Sequence, residues 1–196
     1  MKRYTFLSAL VLSAGILTSC GNESGNAGTA NKDTTINNDT TTTRDNVTLQ
    51  LGDADREFVT KAASGGMMEV ELGRMAGEKA ANARVKAFGE MMVRDHSKAN
   101  DELKTLAASR NIVLPDSLLA EHKEHVEAMR KMTGKAFDNH YMEMMVKDHN
   151  EDISNFEKAS NNAADADLKA FATKTLPVLR MHRDSAQAIN NNKGKQ

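Results

Sequence analysis

The sequence predicts an all-α domain: a bundle of four long helices with antiparallel neighbours, and an extra short helix between the second and third long ones. Three observations carry this reading. From Asp53 onward apolar residues recur at spacings of three and four, strand-like alternation is absent, and the chain holds only two prolines. Its 196 residues are 39% hydrophobic and 27% charged, with no Trp and a single Cys. That describes one ordinary domain with appendages and excludes disulfide-scaffold, collagen-like and multi-pass membrane classes.

The first helix is predicted over residues 54–79, opened by Asp53 or Asp55, with Phe58, Ala62, Gly65, Glu69, Leu72 and Ala76 in one stripe. Gly65-Gly66 within it would permit close helix packing or a slight kink. A second helix over 83–110 aligns Val85, Phe88, Met92, His96, Ala99, Leu103 and Leu106. Asn111 and Leu114-Pro115-Asp116 end it, and Asp116 is placed to cap a short helix reaching Met132. Gly134 breaks that helix, and a third long one over 135–160 carries Phe137, Tyr141, Met144, Met145 and Phe156 on its apolar side. The last, over 165–190, aligns Leu168, Phe171, Ala172, Thr175, Leu179, His182, Ala186 and Ile189, with a kink expected near Pro177. Residues 53–190 thus form the domain, and 191–196 a disordered tail. Glu90-Met91-Met92-Val93-Arg94-Asp95-His96 is echoed 53 positions later by Glu143-Met144-Met145-Val146-Lys147-Asp148-His149, which supports two related halves.

Ahead of the domain, Lys2 and Arg3 precede an apolar stretch from Phe6 to Leu17, too short for a permanent membrane span and suited to a secretory signal over residues 1–19. Leu17-Thr18-Ser19-Cys20 resembles the lipobox of bacterial lipoproteins, in which the cysteine is acylated and becomes the mature N-terminus. The alternative is an ordinary signal peptide with an incidental cysteine. Lipidation of Cys20 uses the only thiol, leaves no disulfide within the chain, and anchors the protein to a lipid membrane. By the lipoprotein resemblance, Gly21 rather than Asp after the cysteine implies the outer membrane, with the domain facing the periplasm. Residues 20–52, rich in Asn, Thr, Gly, Ser and Asp, read as a flexible tether with a reach on the order of 30 Å. Formal charge is −1, and loss of Lys2 and Arg3 with the signal leaves −3, so the balance gives no reason to expect nucleic acid as a partner. Nothing in the sequence identifies a protein partner.

At 100° per residue, Glu69, His96, His149 and His182 each fall on or at the edge of the apolar stripe of a different long helix. One carboxylate and three imidazoles suit a mononuclear site for Zn, Fe, Mn or Cu. Asp95 and Asp148, each beside a histidine in sequence, point about 100° away and fit hydrogen-bonding positions outside the ligand set. The competing reading is a buried Glu/His network that only fixes helix register. A di-iron centre is disfavoured because Val93, Val146 and Leu179 stand three residues before the histidines, where bridging carboxylates would be needed. Met92/His96 and Met145/His149 would suit Cu(I), although Met is also a routine core filler. His122, His125 and His140 read as a solvated face. No Gly-rich phosphate loop, nucleophile elbow or Cys/His pair is present, no catalytic residue is assigned, and Ser and Thr concentrate in the tether.

Taken in order, Phe58-Val59, Gly65-Gly66-x-x-Glu69-Val70-Glu71-Leu72-Gly73, Met92-Val93-x-Asp95-His96, Asn100-x-x-Leu103, Phe137-Asp138-x-x-Tyr141, Asp148-His149 and Leu176-Pro177-x-Leu179-x-x-His182 resemble the bacterial domain of unknown function 4142, over residues 54–190. The resemblance implies a ferritin-like four-helix domain, usually exported and often lipidated, and no established activity. Two functions of different class stay open: an envelope lipoprotein binding a transition metal for sensing, storage or stress protection, and a non-enzymatic docking or structural protein of the envelope.

Overall fold

The computed structural model describes residues 51–192; the signal, Cys20, the tether up to residue 50 and the tail from 193 lie outside the described residues. Five helices are present and no strand among the described residues: α1 (Asp53–Lys79), α2 (Ala83–Ser109), α3 (Ala120–Arg130), α4 (Gly134–Asn162) and α5 (Ala166–Asn190). α1 packs along α2 and α4 along α5, while α1 also meets α4 and α2 meets α5. Three-residue loops close both hairpins, so each is antiparallel. The connection carrying α3 crosses between them, which gives the ferritin-like order expected from the sequence.

Two aspartates set the register between the hairpins. Asp55 near the start of α1 accepts hydrogen bonds from the backbone N–H of Ala164 (3.0 Å) and Asp165 (3.2 Å) in the α4–α5 loop. Asp138 near the start of α4 accepts from Ala81 (3.1 Å) and Asn82 (3.0 Å) in the α1–α2 loop. Each carboxylate thereby satisfies N–H groups at the beginning of another helix, where the backbone has no partner of its own. Asn82 and Asp165 cap those same helices, Asn82 accepting from Arg84 N–H and Asp165 from Asp167 and Leu168 N–H. The halves are therefore related at a spacing of 83 residues, not 53: Asp55 matches Asp138, Ala80-Ala81-Asn82 matches Ala163-Ala164-Asp165, and Phe88 matches Phe171. The echo 53 positions apart joins α2 to α4, which lie across the bundle from each other, and records the same demand made twice: Met and His turned to the centre.

Several local expectations are corrected. Asp55 serves the distant loop rather than capping α1, whose N-cap is Gly52. Leu51, assigned to the tether, is buried in an apolar cluster. Asp116 caps nothing, because α3 begins at Ala120, where Leu119 N–H donates to the buried Ser64 Oγ at 2.8 Å. Docking on α1, not a local cap, fixes where that helix starts. Gly134 takes φ +61°, a conformation that favours glycine, and so turns the chain from α3 into α4. α5 continues past Pro177, and Asn191 and Asn192, assigned to the disordered tail, end it in a hydrogen-bonded turn.

The core falls into two apolar clusters. One gathers Leu72, Val85, Phe88, Met92, Tyr141, Met145 and Ala186; the other gathers Val59, Leu103, Ile153, Phe156, Leu168, Phe171 and Leu179. On three long helices the histidine falls between the two: His96 between Met92 and Leu103, His149 between Met145 and Ile153, His182 between Leu179 and Ala186; Glu69 on α1 follows Met68 at the edge of the first cluster. A single polar layer thus interrupts an otherwise apolar interior.

Candidate metal centre

The three histidines meet in that layer. One ring nitrogen from each of His96, His149 and His182 lies within 4.8 Å of the other two, and the ring centroids stand 5.3–5.7 Å apart. All three side chains are buried. Any three points within 4.8 Å of one another share a centre no more than about 2.8 Å from each, so small ring shifts reach the ~2.0–2.1 Å of a zinc–imidazole bond.

In His149 and His182 the tautomer is set by a hydrogen bond on the opposite ring edge. His149 Nδ1–H donates to the Met145 carbonyl at 2.9 Å, one helical turn back, which leaves Nε2 as the bare nitrogen. His182 Nε2–H donates to Asp95 Oδ2 at 3.0 Å, which leaves Nδ1 bare. Those two nitrogens, together with His96 Nε2, are buried and have no hydrogen-bond partner in the protein. Such orphaned acceptors cost about 1–3 kcal/mol each unless something else engages them. Asp95 therefore occupies the position expected of it, outside the trio and orienting a ring. Burial pushes its carboxyl up, but hydrogen bonds from Arg94 and His182 outweigh this and hold it below its ordinary value.

Burial keeps the imidazoles neutral. It is the largest cause of the lowering of His149 to about 3, with the His182 charge adding to it and the Met145 bond opposing it. His96 is pushed well below its usual value by burial and by both other histidines, and His182 is lowered by burial against the pull of Asp95. Neutral imidazole is the metal-binding form, so no proton has to be displaced from the trio near neutral pH.

Glu69, the fourth predicted ligand, stands apart from this grouping. Its Oε1 lies 3.7 Å from His149 Nδ1, the nitrogen already committed to Met145, and neither carboxylate oxygen has a hydrogen-bond partner. Periodicity located Glu69 on the inner face but could not show which edge of a histidine it would meet. Burial, and after it Asp148 and Asp152, push Glu69 well above the carboxylate range. Asp148 does not support a histidine as Asp95 does. It lines a polar cavity under α3 and is raised by burial to about 6, against the attraction of His125 and Lys147. Burial, with Asp148 and Glu151 adding to it, raises Asp152 to about 7.

Sequence reasoning missed the link between α1 and α3. With Leu119 N–H donating to Ser64 Oγ, the Ser64 hydroxyl donates to His122 Nδ1 at 2.6 Å. His122 and His125 line the same cavity as Asp148, so they are not the solvated face expected, whereas His140 is exposed. The available signal was weak: a lone serine inside an apolar stripe, with its partner 58 positions away.

These titrations predict that the metal-free chain loses stability between pH 6 and pH 8. A carboxyl raised by folding loses stability as pH climbs from its ordinary value to its folded one, from 3.8 to about 6 for Asp148 and to about 7 for Asp152. A lowered imidazole does the reverse, and His149 loses stability as pH falls from 6.5 toward about 3. Urea midpoints measured with chelator should be higher at pH 6 than at pH 8. An unchanged midpoint between pH 6 and 8 would contradict the burial of these carboxyls.

A family model described as a domain of unknown function, DUF4142, matches residues 40–189. No curated protein matches the chain. Among solved structures, the DUF305 fragment from Deinococcus radiodurans is similar to it with a TM-score of 0.64 and 9% identity, covering 72% of this chain and 98% of that one. At that identity the likeness speaks to the helical fold alone. With the family model matching most of its length and the fold the family motifs imply, the chain belongs to the DUF4142 family.

Proposed function

We propose that this protein is an envelope lipoprotein, anchored through acylated Cys20 to the outer membrane on its periplasmic side, whose bundle holds one transition metal ion on His96, His149 and His182 for sensing, storage or stress protection. The observation that carries the metal reading is the convergence of three buried, neutral imidazoles whose inward nitrogens have no partner in the protein. A register-setting network would have these rings donate to one another or to Glu69. Instead, the hydrogen bonds of His149 and His182 run outward, to Met145 and Asp95. That is how metal-binding histidines are commonly oriented. A three-nitrogen set suits Zn, Fe, Mn or Cu and leaves a coordination position free for water or a small ligand.

Metal analysis of the purified full chain tests the site; one equivalent supports it and a metal-free folded chain returns the bundle to the docking reading. The anchor is tested separately. Cys20→Ser should move the protein from the membrane fraction to the soluble one, and an unchanged distribution would leave Cys20 without that role.

A further inference from the structure

The polar cavity under α3, about 140 Å³, opens between α1, α3 and α4. Glu121, His122 and His125 face it from α3, Lys147, Asp148, Glu151 and Asp152 from α4, and Lys61 from α1. The Lys61 ammonium is held by Glu57 at 2.9 Å. The Ser64–His122 bond fastens the roof helix over it. At the inner side stands Glu69, 1% exposed, with both oxygens unpartnered, 3.7 Å from His149 and within electrostatic reach of Asp148 and Asp152. Asp148 Oδ2 is likewise buried and unpartnered.

We propose that this cavity is the vestibule through which a divalent cation reaches the three histidines, with Glu69 as the carboxylate that passes the ion from Asp148 and Asp152 toward His149. The inference rests on the metal reading above and assigns a route to that site. Carboxylates and imidazoles at the mouth are ligands a partly hydrated cation exchanges readily, and the four carboxylates outnumber the two lysines that line the cleft. Two other approaches are less suited to a cation. Along the bundle axis the polar layer is flanked by the two apolar clusters. At the His182 edge, Arg94 donates to Asp95 at 2.8 and 3.1 Å and sets a guanidinium where a cation would have to pass. The route also accounts for Glu69, a buried carboxylate with no partner and no place in the histidine grouping.

The test is the rate of Co²⁺ uptake by the metal-stripped full chain, followed by stopped flow in the visible ligand-field band. Glu69→Gln and the pair Glu151→Gln/Asp152→Asn should each slow uptake about 10-fold while final stoichiometry stays that of the unaltered chain. Glu151→Lys, at an exposed position, provides a variant whose fold is not at risk, and it should slow uptake as well. Salt should slow the unaltered chain more than the double variant. Uptake within two-fold of the unaltered rate in all three variants would overturn the vestibule while leaving the histidine site standing. So would loss of stoichiometry in the folded double variant, because those carboxylates would then be ligands. No Co²⁺ bound by the unaltered chain would overturn the metal reading, and the vestibule with it.

Discussion

Replacing His149 with alanine is expected to lower metal affinity by more than 100-fold and leave no metal on the protein after dialysis. The ring is 0% exposed, its Nε2 is buried without a hydrogen-bond partner, and the Met145 carbonyl engages the other nitrogen and leaves Nε2 free for a metal. Removing it leaves two imidazoles. Asp95→Asn supplies the graded comparison. It keeps all three ligands but weakens the bond that orients His182, and the loss of such a partner typically costs 10–100-fold. Affinities from competition with a chromophoric chelator should fall in that order. Equal affinities in the unaltered chain and His149→Ala would remove His149 from the site. Circular dichroism of the metal-free variants separates lost ligands from lost fold.

Gly89→Ala is expected to destabilise the bundle by about 2 kcal/mol although alanine is the better helix former by about 1 kcal/mol. A Cβ at Gly89 would lie 2.6 Å from both Ala76 Cβ and the Gly73 carbonyl oxygen, and a Cβ at Gly73 would lie 2.6 Å from the Gly89 carbonyl. Here α1 and α2 touch backbone to backbone, so an added methyl at Gly89 must displace main chain and the Ala76 Cβ fixed to it, neither of which is a flexible side-chain end. Gly77→Ala, with nothing within 4 Å of the new methyl, should instead stabilise by about 0.5–1 kcal/mol. Opposite signs in urea unfolding of the two variants would establish where the helices cross. A gain in both would contradict the close approach.

The same glycines show what could be read from sequence. Gly65-Gly66 looked like the crossing point, yet a Cβ at Gly65 meets nothing nearer than 3.8 Å, and one at Gly66 meets only the end of the Asn100 side chain. Periodicity reports which way a residue faces on its own helix. It says nothing about the height at which a neighbour passes. For this reason the helices and the inward direction of Glu69, His96, His149 and His182 were legible, whereas the convergence of the histidines and the separation of Glu69 from them were not. Convergence depends on the register set by Asp55 and Asp138, whose partners lie in the opposite hairpin's loop and leave no local pattern. The start of α3 was not legible for the same reason, since it is fixed by Ser64 on another helix.

The central claim is that His96, His149 and His182 form one metal site. Mass-spectrometric metal analysis of the full chain tests it most directly, on protein purified without a histidine tag or chelator and incubated with Zn, Cu, Fe and Mn together. One equivalent of a single metal per chain, absent from His149→Ala, is the predicted result. A folded chain that carries no metal, or metal retained in full by His149→Ala, would contradict it.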